Sequence, residues 1–358
     1  MARVSDASQR FGIDEVHVWS YRDLLDDLPK APWLHGHSPA PLAGSLASQM
    51  AWERWSLPRE LERTGCDVLM NVDAGSVCRF RPSVTMSQDM LSYEPGEMDR
   101  WSMSLFKLRL IALLHVQNAA LRDADVALFL TDYARQVIGA SAGRMRATHV
   151  IPHGIPDRFR HIENRPWPAG GEEINCLYIS PLWLFKHQWI VVEAIAMLRR
   201  EGLPVTLTLA GGEMEDARQR LDEAVARFDP DGTFVRQLGQ VPPDALPGLM
   251  RESDLFVFAS SCENMPITLL EGMAAGLPIV SSNRGPMPEV LGDAGVYCDP
   301  EDPVSVADAI RTLIGDAQLR HNLASRARER AAQFTWQRCS DETFTLLAQT
   351  ARAVRGHG

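Results

Sequence analysis

The chain has 358 residues, 45% of them hydrophobic and 23% charged, with a formal net charge of -10 at pH 7. That length exceeds one ordinary core and suggests about two domains, and the composition excludes a disordered chain. An acidic balance speaks against a nucleic-acid partner, whose phosphates require a basic face.

The first six residues, Met1, Ala2, Arg3, Val4, Ser5 and Asp6, contain no apolar signal core. A first strand is expected at residues 15–19. Residues 29–45, rich in Pro, Ala, His and Gly, read as a long loop. Further strands are expected at residues 67–72, 83–87 and 126–131. Residues 105–121 read as a long amphipathic helix with Leu110, Leu113, Leu114 and Leu121 near one face. Within it the most apolar stretch is broken by Arg109 and His115. It falls far short of the ~18 residues that span a bilayer.

The second half alternates strands and helices more regularly. Short apolar runs at residues 175–180, 205–210, 233–238, 255–259, 278–281 and 295–298 have the character of buried parallel strands. Between them, residues 189–201, 216–228, 266–275 and 304–314 carry helical periodicity. The first and third of these end in Gly and Pro. This βαβα order implies a doubly wound sheet. The domains are expected at residues 1–155 and 173–334, joined by a linker at 156–172, with a helix at 335–358 that crosses back to the first domain. The six cysteines, Cys66, Cys78, Cys176, Cys262, Cys298 and Cys339, form no CxxC pair, so zinc-ligand spacing is absent. They read as reduced thiols of a cytoplasmic protein.

The sharpest chemical pattern runs from Ser260 to Gly276. A buried strand ends near Ala259, a tight loop carries Glu263, and Pro266 suits the first position of a helix. Ligands of open α/β sheets bind at the carboxyl ends of strands, where a helix N-terminus offers free N–H groups. Glu271 lies within that helix and shares the pocket with Glu263 only if the helix is suitably rotated. Read in isolation, Glu263 serves equally well as a helix cap and Glu271 as a solvated residue. Lys186, in a strand-to-helix turn, is the second candidate; its plain alternative is an exposed residue at a helix start.

The order of these motifs closely resembles the retaining GT-B glycosyltransferases of family 4. The resemblance rests on Asp123-Ala124-Asp125, Ile151-Pro152-His153-Gly154-Ile155, Leu209-Ala210-Gly211-Gly212, Leu238-Gly239-Gln240-Val241, the Glu263-x7-Glu271 pair, Gly276-Leu277-Pro278-Ile279-Val280 and Gly285-Pro286-Met287-Pro288-Glu289-Val290. It covers nearly all of residues 123–340. It implies a metal-independent hexosyltransferase with two Rossmann-like domains facing a cleft. The donor is a nucleotide-diphosphate sugar and the acceptor a glycan or lipid-linked molecule of polysaccharide biosynthesis. Such an enzyme works in the cytoplasm with peripheral contact at the membrane face.

By the same resemblance Glu263 contacts the donor sugar and Lys186 neutralises the leaving diphosphate. Asn264, Met265, Pro266, Ile267 and Thr268 bind sugar and diphosphate through their backbone. Glu271 holds the ribose, and Gly212, Gly239, Gln240 and Val241 lie by the nucleotide. No metal and no cofactor are implied.

Two departures stand out. Pro181 occupies the place where many relatives carry an Arg, which leaves a phosphate contact to another group such as His187. The usual opening strand and Gly-rich loop are also missing; the only Gly before residue 15 is Gly12. The first domain is therefore expected to lack its first βα unit, through a late start, a deletion or completion by a partner. On the acceptor side the candidates are Gln88, Asp89 and Asp73, with Tyr93, Glu94 and Arg100 in a nearby loop. The alternatives are a nucleotide-sugar epimerase of the same fold and an inactive homologue that acts as a binding partner.

Overall fold

The computed structural model describes residues 10–101, 104–212 and 215–355; the reading of residues 1–6 lies outside them. The chain divides into two compact units. Residues up to Tyr93, Trp101–Pro152 and the residues from Gln337 onward form unit 1, and Glu94–Arg100 with His153–Trp336 form unit 2.

Unit 1 opens with a small βαβ element. Strand β1 (Val16–Trp19) pairs in parallel with β2 (Leu34–His37), and α1 (Arg22–Asp26) connects them. The expectation of a long loop at residues 29–45 is thus corrected: they contain β2 and a 3₁₀ turn at Ala40–Ala43. Leu-His-Gly-His has little intrinsic strand propensity. It is held extended by its ladder to β1 and by stacking of the His17 ring on His35 and His37. Helix α2 (Leu46–Ala51) continues through a π turn (Trp52–Ser56) into α3 (Leu57–Arg63). Glu60 on α3 accepts the indole N–H of Trp19 at 2.9 Å and of Trp52 at 3.0 Å. Both tryptophans join the core around Leu57, Leu61 and Leu69 with their polar ends satisfied.

The main sheet of unit 1 has four parallel strands in the order β3 (Leu69–Asn71), β4 (Ser83–Met86), β5 (Val126–Phe129), β6 (Thr148–Val150). Helix α4 (Leu105–Asp123) starts at a Ser104 cap; Leu110 and Leu121 are buried, and Leu113 and Leu114 are half-buried. Helix α5 (Asp132–Ala142) is capped by Thr131.

Unit 2 holds six parallel strands in the order β12-β11-β10-β7-β8-β9. They are β7 (Ile174–Ile179), β8 (Val205–Ala210), β9 (Val235–Gln237), β10 (Leu255–Phe258), β11 (Ile279–Ser282) and β12 (Val296–Cys298). Helices α6 (Gln188–Arg200), α7 (Glu215–Phe228), α8 (Leu246–Arg251), α9 (Ile267–Ala275), α10 (Met287–Leu291) and α11 (Pro303–Gly315) alternate with them, and α12 (Ala317–Ala331) follows. The doubly wound α/β class read from the sequence is the class observed. Every residue of β10 is buried, as expected for a strand covered by helices on both faces. Each such side chain contributes roughly 1.5–3 kcal/mol by leaving water.

The chain winds from β7 outward through β8 to β9, then returns to β10 on the other side of β7 and winds through β11 to β12. The β7/β10 neighbours therefore form the switch point, where the two loops leaving their carboxyl ends diverge. Residues 153–172 are laced to unit 2. Arg160 donates to the carbonyl of Phe334, Asn164 to those of Ala275 and Gly276, and Arg165 pairs with Asp254. The last helix, α13 (Trp336–Arg355), packs within unit 1, where Phe344 stacks on Phe11 and Asp341 pairs with Arg10.

Candidate functional site

The two loops at the switch point carry the candidate residues. After β7 the chain makes a 3₁₀ turn at Leu184–Lys186, closed by the Lys186 amide donating to Trp183 O at 3.0 Å. His187 follows in the left-handed conformation (φ 52°), an uncommon place for a residue other than Gly. The buried Tyr178 hydroxyl fixes the turn by donating to Lys186 O at 2.7 Å.

The loop after β10 reaches across to the same point. Ser261 N donates to Phe185 O at 2.8 Å, and Glu263 forms an ion pair with Lys186. Lys186 is 8% exposed, so neither the exposed-residue reading of Lys186 nor the helix-cap reading of Glu263 is realised. The ammonium also lies 5.3 Å from the Phe185 ring and 5.5 Å from the Phe258 ring, both within cation–π range.

Helix α9 begins one residue later than expected, with Pro266 at its N-cap and no side chain capping it. Its first N–H groups stay available to an anion or a hydroxyl group. Asn264, Met265 and Pro266 are buried, and Ile267 and Thr268 are half-buried. Gly272 lets α9 approach the sheet, because a Cβ there would lie 2.9 Å from the Phe256 ring.

Glu271, on the same helix, is 6% exposed, and its carboxyl group makes no hydrogen bond to the described residues. Burial raises its pKa to about 7, opposed by the Arg158 charge. The solvated alternative for Glu271 is corrected. Its neighbours Leu269, Leu270, Gly272 and Met273 are buried too, so the helix is enclosed on all sides.

Beside this pair the carboxyl edge is stitched by backbone. Ser180 N donates to Ala210 O, Leu182 N to Gly212 O, and Gly211 N to Gly239 O, each at 2.8 Å. A side chain at Gly211 would strike the Ser180 carbonyl. Gly212 and Gly239 are thereby brought to one edge with the Lys186 turn, while Gln240 and Val241 continue outward from Gly239. Pro181 offers no cation; its carbonyl accepts from Gln188 Nε2 at 3.2 Å. His187 does not take the missing arginine's place. It is buried and turned toward Ser261, with 2.9 Å between Nε2 and Oγ.

A network unread in the sequence extends from there. Ser261 Oγ donates to Glu97 at 2.6 Å, and Arg100 clamps Glu97 through two bonds of 2.7 and 3.0 Å and also pairs with Glu301 at 2.8 Å. The Ser261 hydroxyl has one proton and gives it to the carboxylate, so His187 Nε2–H is the donor toward Ser261. Burial, then the Arg100 charge, pull the His187 pKa down to about 4, which keeps the ring neutral at pH 7. Arg100, read from the sequence as part of a loop near the acceptor-side candidates, belongs to unit 2. Its partner Glu301, and Ser261, the partner of Glu97, lie far away in the sequence, and nothing local announced them.

The acceptor-side candidates all lie in unit 1. Gln88 donates to Val72 O, next to Asp73, and Asp73 accepts from Gly75 N. Asp89 accepts from Leu91 N at 3.0 Å and from Ser92 Oγ at 3.4 Å, as Asp does in turns. Gln88 and Asp73 are brought together, and Asp89 is taken up by its own turn. A cavity of about 610 Å³ in unit 1, lined in part by Met50, Arg54, Phe80, Arg81 and Arg146, touches none of the candidate site residues, although Asp123 and Ala124 of the motif series line it. Among the described residues no helix is long and apolar enough to cross a membrane.

Comparison with known proteins points the same way as the geometry. Residues 173–316 match the family of glycosyl transferases group 1. The chain is 33% identical over 152 residues to O-antigen chain mannosyltransferase B of Escherichia coli, covering 42% of this chain and 39% of that protein. The chain spans about half the length of the curated relatives that it matches. Among solved structures, sucrose-phosphate synthase of Thermosynechococcus elongatus superposes with a TM-score of 0.71 at 19% identity, over 91% of this chain and 86% of that one. The Anabaena protein Alr3699/HepE, in complex with UDP and glucose, gives 0.68 at 20% identity, over 98% and 94%. Both likenesses are of fold, and the fold is that of GT-B glycosyltransferases.

Proposed function

On the premise that this chain carries a group 1 glycosyltransferase domain on a GT-B fold, we propose that it transfers a hexosyl group from a nucleotide-diphosphate sugar to a glycan or lipid-linked acceptor, with retention of configuration. The observation that carries this reading is the meeting of Lys186 and Glu263 at the β7/β10 switch point, beside the uncapped start of α9.

In this reading Lys186 faces the diphosphate and stabilises the charge that grows on it as the glycosidic bond breaks. Glu263, held by Lys186 in the free protein, contacts the donor sugar. The N–H groups of residues 264–268 bind sugar and diphosphate. Glu271 accepts the ribose hydroxyls, and Gly212 with Gly239, Gln240 and Val241 lines the nucleotide. Gln88 and Asp73 serve the acceptor. The likeness to a mannosyltransferase and to a protein solved with UDP and glucose supports a hexose donor.

The test is thermal unfolding of the purified chain against a panel of nucleotides and nucleotide sugars. A ligand that binds only the folded state raises the midpoint by mass action. One donor and its nucleoside diphosphate are expected to raise it. The rise is expected to vanish in the double variant Lys186→Met, Glu263→Gln, which keeps the buried volume and leaves no unpaired buried charge. A well-folded sample that responds to no donor would overturn the proposal.

A further inference from the structure

The small sheet of unit 1 places four rings and one carboxyl group on one face. Residues two apart on a strand share a face, so Glu15, His17 and Trp19 project to the same side at β1. On β2 the corresponding pair is His35 and His37. The parallel register sets His17 opposite His35 and Trp19 opposite His37. The rings stack accordingly: His17 lies 4.8 Å from His35 and 5.2 Å from His37 between centroids, and Trp19 lies 4.6 Å from His37.

Three ligand atoms converge there. His17 Nε2 is 3.3 Å from Glu15 Oε2, His35 Nε2 is 3.7 Å from the same oxygen, and all three lie within 4.8 Å of one another. Ligands at about 2.0–2.1 Å around a tetrahedral zinc ion stand roughly 3.3 Å apart, so two of the three edges are close to the required length. The third closes by rotation of the stacked rings about χ2, a soft torsion.

Two further features point to a ligand. His35 Nε2 is shielded from solvent and makes no hydrogen bond in the protein; a buried nitrogen in that condition calls for a partner. His17 Nδ1 is engaged with His37 Nε2 at 2.9 Å, the outer-sphere bond that ordinarily orients a metal-bound imidazole. When His17 Nδ1–H donates to His37, the Nε2 lone pair of His17 faces the Glu15 carboxylate. In that tautomer the nitrogen lone pair and the carboxylate oxygen both face the point where an ion would sit.

We propose that Glu15, His17 and His35 bind one divalent ion of the zinc class and that this ion cross-links β1 to β2. Two imidazoles and a carboxylate suit zinc, whereas magnesium and calcium favour all-oxygen shells. The side chains of His35 and Glu15 are 39% and 59% exposed, which leaves an entry path and an open fourth position for water. The ion stabilises a two-stranded element that is marginal by itself. It is separate from the proposed donor site, which lies in unit 2.

The experiment is calorimetric titration of the full chain, stripped by a chelator, with zinc and separately with magnesium. The visible spectrum after loading with cobalt(II) reports the geometry. One equivalent of zinc is expected, with a raised unfolding midpoint, a tetrahedral cobalt spectrum and no response to magnesium. His35→Ala and Glu15→Gln each lose binding at least tenfold, while His321→Ala, at an exposed position, keeps it. Glu15→Gln alters an exposed group and guards against a folding defect. Absence of zinc uptake, or uptake that persists unchanged in His35→Ala and Glu15→Gln, would refute the site.

Discussion

The proposed donor role of Glu271 predicts binding that is sensitive to pH. Burial raises its pKa to about 7 from the ordinary 4.5. A carboxyl raised in this way favours the folded state below its unfolded pKa. It gives that contribution up as pH rises through the folded value. Ribose binding needs the opposite form, because only the carboxylate accepts from both hydroxyl groups. Affinity for the nucleotide is therefore expected to increase as pH rises through about 7, while the stability of the free protein falls between about 4.5 and 7. Titrations of wild type and Glu271→Gln at pH 6 and pH 8 check this; a wild-type affinity as flat as the variant's would show that Glu271 does not meet the ribose. Lys186 and Glu263 were legible as candidates because each sits in a loop between a strand end and a helix start, whereas Glu271, inside α9, stood out only through the resemblance. Glu97, Ser261 and His187 were not, because their link depends on a fold that joins positions 164 residues apart.

Among the elements, the strands of unit 2 were legible within a residue or two, and the central ones most clearly, because burial on both faces makes β10 an unbroken apolar run. The helices that escaped notice lack such a signal. Helix α12 buries Arg320, Leu323, Ala327 and Ala331, and Arg320 covers its face with an aliphatic stem while its guanidinium lies 3.7 Å over the Trp167 ring. Strand β6 is a three-residue edge, and β2 is held by ring stacking that propensity does not foresee. The placement of α9 depends on a missing side chain. Gly272→Ala sets a Cβ 2.9–3.2 Å from the Phe256 ring, and overpacking of a filled core costs about 1–3 kcal/mol. A lower unfolding midpoint and weaker nucleotide binding are expected together, read by thermal unfolding with and without ligand. An unchanged midpoint would mean that Phe256 yields and that glycine does not set the depth of the helix.

For the whole molecule, the two units do not follow the order of the chain. Residues Glu94–Arg100 belong to unit 2 although unit 1 surrounds them in sequence. Glu97 ties them there through Ser261, and Arg100 ties them through Glu301. Hydrogen exchange offers a direct reading: on addition of nucleotide, protection of residues 94–100 is expected to increase with that of the β10–α9 loop. Glu97→Gln is expected to uncouple the two. If residues 94–100 instead exchange in step with β3 and β4, the assignment to unit 2 is wrong. Helix α13 adds a second interruption, because Cys339 and Leu346 are buried in unit 1 while all of unit 2 precedes them in the sequence. A ribosome makes this protein from the N-terminus, so the nascent chain carries β1 to β6 with the seat of α13 uncovered until unit 2 has been translated. The second unit can close first, and the first must wait, apolar surface exposed, in the care of whatever chaperones attend it.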